Sequence, residues 1–182
     1  MAAASLLLIL LLSFVFIPFT EGDGALWEAH QILRGEGEDR FGSWRLGVWR
    51  LTAKLAAAHL LFGTGPDTFW YVFNPAWAEY EAQLRESGLS QNEGEWLERF
   101  DNPHNEFLAI LSNNGLPALL LYLAFLFVLF RRAFLAEETC TLKKAAAIGA
   151  LLFIIQGLFS FSNCLVSPVF WALAGLAANT KI

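Results

Sequence analysis

The chain has 182 residues, of which 56% are hydrophobic, and its mean hydropathy is +0.47. A soluble domain of this size normally carries a smaller apolar fraction, so the composition argues against a soluble fold and predicts burial in lipid. The net charge of -5 is small and the basic residues form no dense run interleaved with aromatic residues, which argues against a nucleic-acid partner.

The first predicted element is an uninterrupted apolar run over residues 2–19. Its length is close to the minimum of about 17 residues that a helix needs to span a bilayer. A signal peptide is the alternative, but no Lys or Arg precedes the run and no cleavage site with small residues follows Pro18. We therefore expect a transmembrane span at this end of the chain.

Three more apolar runs follow a long hydrophilic stretch, and they predict spans over residues 106–130, 145–162 and 165–178. Pairs of basic residues bracket the short loop 131–144. Because short loops rich in Lys and Arg stay in the cytoplasm, residues 20–105 are expected to form a loop outside it. The sequence thus predicts an all-α fold, a polytopic transmembrane helix bundle of about four spans with one large, mostly helical extracytoplasmic loop.

Within this loop, apolar residues at spacings of three and four predict an amphipathic helix near residues 43–62. The apolar face contains Trp44, Val48, Leu51, Leu55, Ala58 and Phe62. Arg50 and Lys54 lie on the opposite side, and Arg45 lies at the edge of the apolar face. A helix on the membrane surface whose cations are simply solvated is the alternative to a binding role for Arg50 and Lys54.

A glycine turn over residues 63–68 follows the amphipathic helix. Gly63 and Gly65 permit a positive φ, and Pro66 favours a turn. Two glycines alone are weak evidence for a phosphate site. The acidic stretch after the turn, residues 74–99, predicts a structured insertion with short helices.

The residues before the second predicted span indicate where its helix begins. Asn102 can cap a helix, Pro103 suits the first helical position, and Glu106 is favourable at the positive end of the helix dipole. His104 is therefore expected in the first turn of this helix at the outer membrane surface, where it could accept a proton from a sugar hydroxyl. A polar residue at a helix end without catalytic role is the alternative.

Three segments together resemble the O-antigen ligase and polymerase family. They are residues 42–49 (GSWRLGVW), residues 63–69 (GTGPDTF) and residues 102–105 (NPHN), in this order. The family's histidine motif has His, then Asn, Ser or Gln, then nine residues and a glycine, which His104, Asn105 and Gly115 match. The motif then has two residues and Gly, Thr or Tyr, a position that is Ala118 in this chain. The match also departs from the family at Trp44, where many relatives have glycine. The resemblance covers about residues 42–178, the C-terminal part of the family's proteins.

Membership would imply a metal-independent, inverting glycosyltransferase in the bacterial cytoplasmic (inner) membrane. Such enzymes transfer a glycan from undecaprenyl pyrophosphate to an acceptor hydroxyl on the outer side of the membrane, without a cofactor. The resemblance assigns Arg45 to the departing pyrophosphate and His104 to the acceptor. It assigns substrate contacts to Arg50, Gly63, Gly65, Asp67 and Asn105.

Several alternatives remain open. Family members usually have many spans before this loop, so we expect either a fragment or a relative that needs an upstream transmembrane bundle or a partner subunit. A catalytically inactive membrane subunit that binds lipid-linked sugar or a partner protein is the second hypothesis. A channel or transporter is disfavoured because the predicted spans contain almost no ionisable residues. The sequence does not distinguish a ligase from a polymerase or a protein-glycosylating relative.

Overall fold

The computed structural model describes residues 19–20, 24–87, 100–135 and 140–179. Within these ranges all regular elements are helices, which confirms the all-α prediction. The helices are α1 (Ala25–Leu33), α2 (Arg45–Ala58), α3 (Phe69–Glu86), α4 (Glu106–Leu135), α5 (Thr141–Gly157) and α6 (Ser167–Ala178). Of the predicted span over residues 2–19, Phe19 alone is among the described residues.

The chain forms two compact units, residues 1–50 and residues 51–182. In the first unit, the Trp27 ring of α1 packs edge-on against Phe41, with centroids 5.2 Å apart, and Phe41 is 1% exposed. The Gly42 amide donates a hydrogen bond of 2.8 Å to Oε2 of Glu28, which is also on α1. These two contacts fix the loop that leads into α2.

In the second unit, α3 is held by a row of aromatic rings. Phe69 stacks on Phe73 at 4.7 Å, and Phe73 stacks on Trp77 at 5.7 Å. Phe100 meets both Phe73 and Trp77 edge-on, and its amide donates a 3.0 Å hydrogen bond to Oδ1 of Asn74. The short helices expected after residue 74 are therefore wrong for residues 74–86, which belong to a single helix that begins five residues earlier.

Helices α4, α5 and α6 pack through small residues. The buried core combines Leu126, Leu129 and Ala133 of α4 with Ala146, Ala147 and Ala150 of α5 and Phe170, Ala174 and Ala177 of α6. Alanines let helix backbones approach closely, as is common between helices in membranes. Among the described residues, α4 is the one helix long and apolar enough to cross a membrane, and α6 is a shorter apolar helix.

The helix bounds differ from the predicted spans at the charged ends. Helix α4 continues past residue 130 through Arg131 and Arg132, both exposed, and α5 begins at Thr141 and includes the last four residues of the predicted loop, among them Lys143. Long basic side chains can lie along an apolar helix while their charged ends reach water, so a basic pair does not end a helix. Helix α6 begins two residues after the predicted start.

The amphipathic helix is shorter than predicted and buries a different face. Helix α2 ends at Ala58, and Phe62, which the pattern placed on the apolar face, is 83% exposed. The buried residues of α2 are Gly47, Val48, Thr52 and Ala56, and the last three lie one helical turn apart. Small side chains at these positions allow close packing, which a pattern based on hydrophobicity alone does not detect.

The predicted start of α4 is also wrong. The helix begins at Glu106, and its cap is Asn105, whose Oδ1 accepts a 3.0 Å hydrogen bond from the Leu108 amide. Asn102 instead accepts a 2.9 Å hydrogen bond from the amide of His104. His104 therefore lies before the helix, not in its first turn.

Candidate functional site

Four non-glycine residues among those described have a left-handed backbone. They are Ser43, Trp44, Asp67 and His104, with φ between 50° and 68°. This conformation costs an L-residue about 1–2 kcal/mol, and such residues are frequent at functional sites. All four lie in the three segments that carry the family resemblance. The strained positions and the motifs thus coincide.

The first strained segment precedes Arg45. Gly42, Ser43 and Trp44 all have positive φ, and the Trp44 carbonyl accepts a 3.0 Å hydrogen bond from the Val48 amide. The sequence placed Trp44 on the apolar face of a helix, but α2 begins one residue later. The left-handed conformation at Trp44 is one that glycine adopts without steric cost. Arg45 is the first residue of α2 and is exposed, and it has no ion pair among the described residues.

Arg50 is engaged inside its own unit. Its Nη1 forms an ion pair with Asp39, and its Nη2 donates a 2.8 Å hydrogen bond to the carbonyl of Gly37. The Asp39 carbonyl also accepts a 3.0 Å hydrogen bond from the Gly47 amide. These contacts attach the loop around residues 37–39 to α2, which gives Arg50 a structural function that its position on the polar face did not indicate.

The glycine turn is attached to α4 by backbone hydrogen bonds. The amides of Thr64 and Gly65 donate to the carbonyls of Ser112 and Asn113, at 2.8 and 2.9 Å. In the other direction, the Leu116 amide donates to the carbonyl of Leu60 at 2.7 Å. The turn and the helix therefore exchange hydrogen bonds between residues that lie about fifty positions apart in the sequence.

A kink in α4 makes this exchange possible. Gly115 has φ 82° and ψ 177°, which interrupts the helix, and Pro117 has no N–H to offer the carbonyl of Asn113. The amide of Gly65 supplies the missing donor to that carbonyl. Together with the bond from Thr64 to Ser112, this bond satisfies two of the carbonyls that the kink leaves without a partner in the helix. Gly65 has a structural function here, through its backbone, in addition to any contact with a substrate.

Threonine hydroxyls complete the turn around Asp67. Thr64 Oγ1 lies 3.2 Å from the carbonyl oxygen of Ser112, and Thr68 Oγ1 lies 2.7 Å from the carbonyl oxygen of Gly65. Between these two anchors, Asp67 has φ 55° and is exposed. The turn thus presents a carboxylate on a backbone that is fixed on both sides.

His104 lies against the turn between α5 and α6. Its half-buried ring meets Phe161 edge-on, with centroids 5.4 Å apart and planes at 77°. Next to it, Asn105 Nδ2 donates a 3.0 Å hydrogen bond to the carbonyl of Leu158. Glu106 Oε2 accepts a 2.7 Å hydrogen bond from the Ser162 amide. Three consecutive residues, 104–106, therefore contact one turn.

The expected site residues divide between the two units. Gly63, Gly65, Asp67, His104 and Asn105 belong to the second unit, and Arg45 and Arg50 belong to the first. The contacts of His104 with Phe161 and of Glu106 with Ser162 were not predicted, because they join positions more than fifty residues apart and no local pattern indicates them. Among the described residues no three His, Cys, Asp or Glu side chains converge, and metal-independent chemistry stays a prediction.

These features define a class of protein: within the described residues it is an all-helical chain with a helix of membrane-spanning length and left-handed, non-glycine backbone in three motif segments. A family model described as O-antigen ligase matches residues 1–123, more than half of the chain. The chain belongs to the O-antigen ligase family, as its motifs indicated. No match was found among the curated proteins or the solved structures. The matched range contains all three motif segments and ends within α4.

Proposed function

We propose that this chain takes part in the transfer of a glycan from undecaprenyl pyrophosphate to an acceptor hydroxyl during cell-surface polysaccharide assembly. Membership of the O-antigen ligase family supports the general role. The observation that carries the residue assignment is the coincidence of left-handed, non-glycine backbone with the three motif segments. Such strain persists where the surrounding structure over-determines it, which is typical of sites selected for function.

The proposed setting is the cytoplasmic membrane of a bacterium. The apolar helix α4 supports a membrane location, since many of its large side chains are exposed, among them Leu121 and Phe127 at 72% and 68%. Exposed apolar surface of this extent is suited to lipid or to neighbouring spans. In this proposal residues 20–105 lie on the outer side, where the carrier presents its glycan, and the chain passes the membrane several times.

His104 is proposed to be the general base. It takes the proton from the acceptor hydroxyl as that oxygen attacks the anomeric carbon of the donor sugar. A new glycosidic bond forms with inversion, the bond between the anomeric carbon and the carrier phosphate breaks, and undecaprenyl pyrophosphate leaves with the bonding electrons. The edge-on contact with Phe161 and the hydrogen bond from the His104 amide to Asn102 hold the base in place.

Arg45 is proposed to bind the pyrophosphate. A guanidinium offers a planar fork of donors to phosphate oxygens and stabilises the negative charge that develops on the leaving group. The exposure of Arg45 and its lack of an ion pair among the described residues support this assignment. Arg50, by contrast, is occupied by Asp39 and Gly37, so its contacts favour a structural function over the expected substrate contact.

The glycine turn is proposed to shape the sugar site. Its backbone is fixed on α4, and it presents the exposed carboxylate of Asp67, which can accept hydrogen bonds from sugar hydroxyls. For Asn105 the contacts favour positioning, since its amide caps α4 with the oxygen and bonds Leu158 with the nitrogen. Gly63 and Gly65 contribute through the backbone geometry of the turn.

The test is glycan transfer by membranes that contain the full chain, with lipid-linked glycan as donor. His104→Ala should lower transfer by roughly a hundredfold to ten-thousandfold while insertion and yield stay unchanged. His59→Ala is the matched control, because His59 is exposed and follows α2 in the same unit. Transfer by His104→Ala at the wild-type rate would contradict the assignment. Binding of the donor by the wild-type chain without turnover would favour an inactive binding subunit.

A further inference from the structure

The turn between α5 and α6 contacts residues 104–106. The residues of this turn belong to none of the three motif segments. Phe161 meets the ring of His104, the Leu158 carbonyl accepts from Asn105, and the Ser162 amide donates to Glu106. A Cβ added to Gly157, at the end of α5, would lie 3.3 Å from the Cβ of Glu106, so the approach is close on this side as well. All of these residues belong to the second unit.

The backbone at His104 requires such support. Its φ of 50° lies in the left-handed region, which a non-glycine residue leaves unless its surroundings hold it. Asn102 fixes the amide of His104, and Asn105 fixes the carbonyl side by capping α4. These contacts determine the backbone, whereas the contact with Phe161 is made by the imidazole ring itself.

We propose that Phe161 and Glu106 are positioning residues for His104, with the turn between α5 and α6 as the element that sets the direction of the imidazole. The inference rests on the proposed function of His104 as the base. Phe161 presents its ring edge-on to the imidazole, and Glu106 holds the turn by accepting from the Ser162 amide through a charge-assisted hydrogen bond. Neither residue touches the reacting atoms in this proposal.

The turn between α5 and α6 lies outside the part of the chain that the family model matches. The family model ends at residue 123, whereas Phe161 and Ser162 lie beyond the matched range. The contacts around His104 are therefore completed by a segment from outside the matched range. The precision with which the base is held depends on a contact that the motif does not encode.

Kinetics test the inference first. A base displaced by about 1 Å can lose on the order of a hundredfold in rate, so Phe161→Ala should lower kcat at least tenfold while KM for the lipid-linked donor changes less than twofold. Phe161→Tyr keeps the aromatic edge and should restore kcat. Glu106→Gln keeps an acceptor for the Ser162 amide and should retain more activity than Glu106→Ala. Leu165→Ala is the control, since Leu165 lies in the same turn and is 83% exposed.

A measurement that does not depend on turnover follows the ring contact directly. In protein labelled at histidine, with His104→Ala used for assignment, Phe161→Leu should move the His104 imidazole proton signal by loss of the ring current, and the signals of His30 and His59 should stay. Unchanged kcat in Phe161→Ala together with an unmoved signal would overturn the inference. If His104→Ala keeps its transfer activity, the proposed function fails, and the imidazole signal still decides whether Phe161 contacts the ring.

Discussion

Gly63 in the glycine turn and Gly115 in α4 allow the turn and the helix to pack closely in the same way. Each glycine lies where the backbone of the other segment comes within contact distance. A Cβ on Gly63 would lie 2.5 Å from the carbonyl oxygen of Asn113, and a Cβ on Gly115 would lie 2.5 Å from the carbonyl oxygen of Leu61. Both glycines also have positive φ, 65° and 82°. Only glycine satisfies the space and the dihedral angle at the same time.

Gly115→Ala should therefore destabilise the protein strongly. Strain in the left-handed region and the clash with the Leu61 carbonyl together cost on the order of 3 kcal/mol. Thermal unfolding of the purified protein in detergent measures the effect as a lower Tm. Gly175→Ala is the matched control, because an added Cβ there meets nothing within 4 Å, and helix propensity makes this change neutral or slightly stabilising. Equal Tm values for the two variants would contradict the interlocked geometry.

The all-helical nature of the fold was predictable from the sequence, whereas this interlock was not. Long apolar runs bounded by charge indicate helices, and α4, α5 and α6 all form at the predicted places within a few residues. The glycine turn was predicted as a turn, but its partner on α4 was not, because Gly63 and Asn113 are far apart in sequence. Pro117 gave a local signal for a kink, yet nothing local indicates that Gly65 supplies the missing donor.

The start of α4 could not be predicted from the sequence for a different reason. The stretch from Asn102 to Asn105 contains two asparagines, and either can accept a hydrogen bond from a helix amide. Pro103 favoured the first of them, since proline is common at the first helical position. The structure uses the second, because Asn105 also bonds Leu158 in the turn between α5 and α6. A tertiary contact therefore decides between two local solutions of similar quality.

Trp44 offers a test of backbone strain that separates the dihedral angle from the side chain. Both Trp44→Ala and Trp44→Gly remove the indole, but only glycine relaxes at a φ of 68°. We expect Trp44→Gly to be more stable than Trp44→Ala by about 1 kcal/mol, the reverse of the usual order in a helix. Lys54, which is exposed within α2, is the control. Here Lys54→Ala should be more stable than Lys54→Gly. Tm values measure both pairs, and the same order at both positions would contradict strain at Trp44.

Variants of Arg50 and Asp39 test whether the guanidinium of Arg50 stabilises the fold or binds the substrate. If the ion pair attaches the loop to α2, Arg50→Gln and Asp39→Asn should lower stability alike, by about 1 kcal/mol or less because the pair is partly exposed, and leave KM for the lipid-linked donor unchanged. Arg45→Gln should instead raise KM or lower kcat with no change in Tm. A raised KM in Arg50→Gln with a normal KM in Asp39→Asn would assign Arg50 to the carrier.

Two variants of Asn105 distinguish its effect on the stability of α4 from its effect on the position of His104. Asn105→Ala loses the cap and the bond to Leu158, and should lower stability by about 1 kcal/mol and also lower kcat. Asn105→Asp keeps an oxygen for the Leu108 amide and adds a negative charge at the helix start, so its Tm should match or exceed that of the wild type.

The two variants differ in what they remove, and this makes the comparison decisive. Asn105→Asp has no donor for the Leu158 carbonyl, so the turn that carries Phe161 loses one of its attachments while the helix keeps its cap. We expect a reduced kcat at full thermal stability, with KM for the donor unchanged. Wild-type kcat in Asn105→Asp would mean that the cap alone holds His104, and that the bond to Leu158 contributes nothing to catalysis.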